Sequence, residues 1–331
     1  MKIMKEFFLV IFLFVVTMAV AMSADAGTIV RVDGSSTVYP ITEAVAEEFQ
    51  TIKKGTVQVT VGISGTGGGF KKFCRGEIDI SDASRPIKTS EREACQAQGI
   101  QYIELPVAYD AISVIVHPEN SLTSIKVDEL KKIWEPSAQN TVMKWNQVNP
   151  KWADADLKLY GPGADSGTFD YFTEAIVGKS AASRGDYTAS EDDNVLVQGV
   201  STDKNAIGYF GFAYYATNKS KLKALAVDGG KGPVLPTSET VKDGTYAPLS
   251  RPIFIYVNKA SLQKPEIKDF VEFYLTKAIQ LVPEVQYVAL SPAAYQLVQK
   301  RLREQKVGTV YANHSGVNVT VEELLKREPS L

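Results

Sequence analysis

The chain has 331 residues, 44% hydrophobic and 22% charged, the balance of a globular protein with room for two domains of ordinary size. Thirty-six basic residues against 38 acidic ones leave a formal net charge of -2, so no basic excess offers a surface to nucleic acid or to a membrane. An anion that binds here must be held by local geometry. His117, His314 and the two cysteines are scattered without ligand spacing, which argues against a metal centre, and no cofactor is expected.

Lys2 and Lys5 precede an uncharged apolar run over residues 7–22 that ends in Ser23-Ala24-Asp25-Ala26. A basic flank, a short apolar core and an Ala-x-Ala exit describe a secretory signal peptide, with cleavage after Ala26 and Ala24 as the second choice. The run falls short of the roughly 20 residues that a membrane-spanning helix needs, although an uncleaved anchor is the alternative. No cysteine stands at the exit to take a lipid. Export implies a periplasmic, oxidising compartment, where Cys74 and Cys95 are expected to pair as a disulfide, two buried thiols being the alternative.

From residue 27 onward, strand and helix patterns alternate. Residues 28–33 read as a strand. Residues 39–49 read as a helix, with Ile41, Ala44, Val45, Glu48 and Phe49 at helical spacing. Residues 57–63 form a second strand, and a helix opens at Phe70 and stops near Gly76. A short strand over 78–80 and a helix over 89–98 follow, then strands at 101–105 and 111–116. A helix over 127–134 leads into a polar stretch around Trp145 and Trp152, then a strand at 157–160 and a helix over 167–176. Residues 195–198 and 206–209 frame another unit. An apolar strand at 251–257 and helices over 265–276 and 292–303 complete the chain. This order predicts an α/β fold with mixed, mostly parallel sheets and helices on both faces. Tyr209, Phe210, Phe212, Tyr214 and Tyr215 are expected to pack a core, an exposed contact patch being the alternative. Strands near 107–116 and 251–257 are candidates for crossings between two lobes, against two consecutive domains divided near residue 150.

Four segments share one design. Gly34-Ser35-Ser36-Thr37, Ser64-Gly65-Thr66-Gly67-Gly68-Gly69, Ser81-Asp82-Ala83-Ser84-Arg85 and Asp165-Ser166-Gly167-Thr168 each place small hydroxyl residues after a strand, at an expected helix start. The first turn of a helix has unpartnered backbone N–H groups and a partly positive end, and glycine lets an anion approach them closely. Singly, such segments are ordinary helix caps. Their recurrence favours an oxyanion site.

Asp33-Gly34-Ser35-Ser36-Thr37-Val38-Tyr39-Pro40, the 64–69 loop, Asp79-Ile80-Ser81-Asp82-Ala83-Ser84-Arg85-Pro86, the 165–168 loop and Ala206-Ile207-Gly208-Tyr209 together resemble the phosphate-binding proteins of bacterial ABC transporters, in order and at similar spacing. The resemblance implies a two-lobed periplasmic binding protein of type II-like fold. Lobe I would be residues 27–107 plus 252–331 and lobe II 108–251, with residues 1–26 as the signal peptide. It implies inorganic phosphate in the cleft between lobes, delivered by a monomer to the membrane permease of the transporter. By position, Ser36 supplies the first hydroxyl, Thr37 a backbone donor, Thr66 the second-loop hydroxyl, and Ser166, Gly167 and Thr168 the loop of the second lobe. Two departures stand out. The best-known members have an aspartate where this chain has Ser84, and an arginine near where it has Gly161-Pro162-Gly163. Arg85 is the expected substitute cation, with Arg184 a weaker candidate. Asp82 and Asp165 are candidate proton acceptors, helix capping being their plainer role.

A hydrolase would need a nucleophile beside a base, and His117 and His314 stand apart from the hydroxyl loops without a Gly-x-Ser-x-Gly elbow. A binding protein for sulfate, molybdate or tungstate would use the same loop physics. The chain is therefore expected to bind rather than catalyse.

Overall fold

A computed structural model describes residues 28–312, 321, 325–327 and 329–331; the signal-peptide reading and His314 lie outside the described residues. The first elements are β1 (Thr28–Gly34), α1 (Tyr39–Ile52), β2 (Val57–Ile63), α2 (Gly65–Cys74), β3 (Ile80–Ala83), α3 (Thr89–Ala97) and β4 (Tyr102–Val116). Then come β5 (Ser124–Lys126), α4 (Val127–Trp134), α5 (Trp145–Val148), β6 (Lys158–Pro162), α6 (Gly167–Phe172), β7 (Thr188–Ser190), α7 (Asp193–Thr202), β8 (Ala206–Gly211) and α8 (Phe212–Thr217). The chain closes with β9 (Lys223–Ala224), β10 (Ala226–Asp228), β11 (Pro233–Val234), α9 (Ser238–Lys242), β12 (Ser250–Asn258), α10 (Pro265–Glu284), β13 (Val288–Ala289) and α11 (Pro292–Arg303). Among the described residues no helix is long and apolar enough to cross a membrane.

One mixed sheet runs β2-β1-β3-β12-β4-β8-β6-β7. Parallel pairing is confined to its two ends, where β1 lies between β2 and β3, and β6 between β8 and β7. The middle is antiparallel, because β12 pairs β3 and β4, and β4 pairs β8. In place of the two strands expected at 101–105 and 111–116, a single 15-residue strand spans both ends of the sheet. Its ladder with β12 slips between Ile253 and Phe254, leaving Val107 as the extra residue beside Pro106. Proline has no N–H to give the ladder, so a bulge is the natural accommodation.

The apolar side chains sort into cores on either side of β4 and β12. Val30, Val32, Ile41, Val45, Phe49, Phe270, Tyr274 and Val298 fill one half, between β1, α1, α10 and α11. Trp134, Phe172, Ile207, Tyr209 and Leu225 fill the other, with Phe172 stacked on Tyr209 at 3.7 Å and Trp134 edge-on to it at 4.8 Å. The aromatic run 209–214 is thus core, and Tyr209, Phe210, Phe212 and Tyr214 are buried.

Two boundaries differ from the sequence expectation in a way that shapes the site. Helix α2 starts at Gly65 rather than Phe70, so the glycine-rich segment is its opening turn and a half. Glycine is a poor helix former, but here close packing decides. A methyl group at Gly69 would lie 2.7 Å from Gly34 Cα and 2.8 Å from Ser81 Oγ, so only glycine lets α2 lie flat on β1 and β3. Strand β3 holds residues 80–83 rather than 78–80, which draws Ser81 and Asp82 into the sheet.

Cys74 and Cys95 form a disulfide that ties α2 to α3. They stand 21 residues apart, and closing a loop of this size removes about 3 kcal/mol of denatured-state freedom. The doubly substituted Cys74→Ala/Cys95→Ala protein should therefore unfold at a clearly lower urea midpoint. An unchanged midpoint would show that the bond adds no stability.

Candidate functional site

Strands β1, β2 and β3 run parallel, so the turns that leave them share one edge, the usual ligand edge of an open α/β sheet. After β1 the chain turns tightly: Ser35 N donates to Asp82 O at 3.0 Å, and Val38 N and Tyr39 N donate back to Ser35 O. Gly34 has φ 143° and passes so close to β3 that a side chain there would collide with the Asp82 carbonyl. The turn buries Ser36 and Thr37. In the first turn of α2, Thr66 Oγ1 accepts from Ser84 N at 3.1 Å and lies 3.2 Å from Ser84 Oγ. Ser84 was expected at a helix start. It instead follows the end of β3, with α3 opening only at Thr89, so the strand end and Thr66 position it.

From the other half, Ser166 caps α6, its Oγ accepting from Thr168 N at 3.1 Å. This capped turn is set against the first three loops. Thr168 Oγ1 lies 3.1 Å from Thr37 Oγ1. A methyl group on Gly167 would lie 2.6 Å from both Ser84 Oγ and Thr66 Oγ1. Gly67 N donates to Asp165 O at 2.7 Å across the same seam. Thr37, Thr66, Ser84, Gly167 and Thr168 therefore converge, all buried. Ser36 is held beside them through its carbonyl, which accepts from Tyr214 Oη at 2.9 Å, and Tyr287 Oη donates to the carbonyl of Thr37.

The arginines fall into distinct places. Arg85 Nε donates to Asp170 at 2.7 Å, and its two terminal nitrogens grip Glu91 at 2.7 and 2.6 Å. Its charge is thus met by two carboxylates, and Lys88 adds a 2.7 Å bridge to Asp170. A cavity of about 500 Å³ lines the outer side of this ion-pair cluster, bounded by Arg85, Lys88, Asp170, Glu174 and Ser180. Arg184 lies elsewhere, bonded to Asp186 and to the carbonyls of Ile133 and Val142, and its hydrogen bonds hold the Asp186 carboxyl down at about 2.

A further arginine, Arg251, donates directly to the Gly167 and Thr168 atoms of the converged loops, and the motif reading missed it. It is 1% exposed and issues from β12. Nη2 donates to Thr168 Oγ1 at 2.7 Å, Nη1 to Gly167 O at 3.0 Å, and Nε and Nη2 to Asp110 Oδ2 at 3.2 and 3.0 Å. The sequence signal was weak: Arg251 stands at the start of an apolar strand, where a cation is ordinarily solvent-exposed.

The candidate acceptors separate too. Asp82 lies beside Thr42 of α1 with both carboxylate oxygens buried and without a hydrogen-bond partner; burial, with help from Asp33 and against the nearby Thr42 hydroxyl, pushes its carboxyl up to about 8. Asp165 is partly exposed and bridges to Lys71 at 2.8 Å. His117 sits at the surface, its Nδ1 accepting from Glu119 N.

Comparison with known proteins gives a consistent picture. A family model described as a PBP superfamily domain matches residues 19–278. Over 303 residues the chain is 52% identical to Protein SphX of Synechocystis sp., covering 91% of this chain and 90% of that protein. It is 40% identical to the phosphate-binding protein PstS of Staphylococcus saprophyticus, over 82% of this chain and 84% of that one. Among solved structures, a Clostridium perfringens protein assigned as a phosphate ABC transporter substrate-binding protein, with phosphate bound, matches at 28% identity and TM-score 0.68, over 80% of this chain and all of that one.

Proposed function

Since the chain belongs to the phosphate-binding proteins of the PBP superfamily, we propose that it captures inorganic phosphate where its two halves meet and delivers it to the membrane permease of an ABC transporter. The observation that carries this reading is the convergence of Thr37, Thr66 and Ser84 from one half with Gly167 and Thr168 from the other, backed by Arg251. The hydroxyls of Thr37, Thr66, Ser84 and Thr168 are donors to a tetrahedral oxyanion. The capped first turn of α6 presents backbone N–H groups and the positive end of its dipole. Arg251 donates to Thr168 Oγ1, so the hydroxyl's own proton is turned outward, toward the position an anion would take. It also supplies the cation that the Gly161-Pro162-Gly163 segment lacks.

In this reading residues 27–107 plus 252–331 form one lobe and 108–251 the other, joined by β4 and β12 as hinge strands. Phosphate bridges the lobes and holds them shut, and the closed form is what the permease recognises. The protein works as an exported, periplasmic monomer after losing residues 1–26, as a carrier rather than an enzyme. Competition for labelled phosphate by sulfate, arsenate and molybdate tests the substrate class. Arsenate should displace phosphate and sulfate should not; equal displacement by sulfate would replace the phosphate reading with that of a general oxyanion carrier.

Arg85 acts at this seam by pairing with Asp170 across the two halves. Its loss should weaken phosphate binding roughly tenfold, about 1.4 kcal/mol. A bridge that holds closure predicts that Asp170→Asn weakens binding to a similar degree and that the double variant is no worse than either single one. Were Arg85 itself a phosphate ligand, Asp170→Asn would leave or raise affinity.

A further inference from the structure

Behind the Thr37–Thr168 contact three ionisable groups are packed with almost no exposure: Asp110 from β4 at 2%, Asp193 from the start of α7 at 1%, and Arg251 from β12 at 1%. Arg251 spends two donors on Asp110 Oδ2. Asp193 has no cation of its own and takes a backbone hydrogen bond from Gly211. Asp193 Oδ2 and Asp110 Oδ1 are both buried without a hydrogen-bond partner. Both orphan oxygens lie within 4 Å of one point beside Gly211. A methyl group at Gly211 would lie 3.6 Å from Asp193 Oδ2, 3.8 Å from Asp110 Oδ1 and 3.4 Å from Thr37 Cγ2.

One guanidinium cannot neutralise two buried carboxylates, and unpaired acceptors facing a common point are costly unless one of them carries a proton. Among the described residues, the surrounding groups supply no second cation. Asp192 at the α7 cap adds negative charge, while Tyr214 from α8 and Tyr287 ahead of β13 spend their hydroxyl protons on the carbonyls of Ser36 and Thr37. Burial first, then the nearby Asp110, pushes the Asp193 carboxyl up to about 7, against the pull of Gly211 N–H and Arg251. Burial likewise raises Asp110, with Arg251 and the backbone N–H groups of Ala111 and Phe212 opposing.

We propose that Asp193 and Asp110 share a site for one proton, and that this site fills from solvent when phosphate is captured beside Thr37 and Thr168. The inference rests on the phosphate reading. A dianion arriving next to Arg251 draws on the positive charge that partly offsets both carboxylates, so the ionised form of Asp193 is disfavoured in the complex. Capture is then linked to uptake of a proton by the protein, at a different residue from the aspartate that Ser84 replaces.

Calorimetric titration of the phosphate-stripped protein at pH 7, repeated in buffers of different ionisation heat, counts the protons. Wild type should take up more protons per phosphate than Asp193→Asn, by a fraction of one proton, because a carboxyl partly ionised before binding becomes protonated after it. Equal counts overturn the proposal. Absence of any phosphate heat in wild type would fell the phosphate reading instead, and unfolding without phosphate then decides whether the proton is there. The carboxyl of Asp193 titrates higher folded than unfolded, so its stabilising share is fully present below about pH 4 and is lost as pH rises toward 7. Against Asp193→Asn, the unfolding constant of wild type should rise by up to tenfold per pH unit across that window and level off above it. A pH-independent ratio contradicts the shared proton.

Discussion

Replacing Gly167 with alanine is expected to lower phosphate affinity at least a hundredfold while leaving the fold intact. The added methyl would lie 2.6 Å from Ser84 Oγ and from Thr66 Oγ1, and 3.0 Å from Arg85 Cγ, closer than real side chains approach. Those neighbours cannot yield easily, since Thr66 and Ser84 are completely buried and hydrogen-bonded to each other. The methyl would thus occupy the point on which the two halves converge, where the proposed phosphate site lies. Gly167 opens a helix without a positive φ, so alanine suits its backbone and even favours the helix. A hundredfold loss corresponds to about 3 kcal/mol. The check is a phosphate titration beside a urea melt: affinity should collapse while the midpoint holds. Near-normal affinity would mean that the ligand sits elsewhere.

Arg251 carries the second large effect, and it acts on folding and binding together. Arg251→Ala leaves Asp110, fully enclosed at the centre of the sheet, without its counter-charge, a loss of about 3–5 kcal/mol of stability. It also removes the donors to Gly167 O and Thr168 Oγ1. Arg251→Lys separates the two consequences. A lysine keeps the charge beside Asp110 but cannot reproduce the fork that meets Asp110, the Gly167 carbonyl and the Thr168 hydroxyl at once. It should fold with a modest loss and still bind phosphate at least tenfold more weakly. Wild-type affinity in Arg251→Lys would show that the charge alone matters and that loop positioning does not.

What the sequence made legible follows the range of each interaction. The hydroxyl-rich turns at 34–37, 64–69 and 165–168 stood out because a strand end, a glycine and a capping hydroxyl are neighbours in the chain, and Ser166 does cap α6 as the motif suggests. Helices α4 and α11 have the expected bounds because their apolar periodicity is strong and their ends are punctuated. The opening of α2 escaped notice because five residues with low helix propensity are held helical by packing on β1 and β3, which no local rule registers. The long strand β4 was read as two because Pro106 and Asp110 look like interruptions. The bulge absorbs the first and Arg251, 141 residues away, neutralises the second. Arg251 and Asp193 went unremarked for the same reason. Their chemistry exists only once β4, β12 and α7 meet, and neither lies in a hydroxyl-rich loop. Arg85 drew attention through its place beside Ser84, whereas Glu91 and Asp170, which meet its charge, become visible only in three dimensions.

In the proposed function, phosphate is gripped between the two halves by the converged hydroxyls and Gly167, with Arg251 behind them. The most direct measurement is a calorimetric titration of inorganic phosphate into the mature, phosphate-stripped protein. Saturable binding of one phosphate per chain, weakened at least a hundredfold in Gly167→Ala, is the predicted result. No heat, or binding that Gly167→Ala leaves untouched, would contradict it.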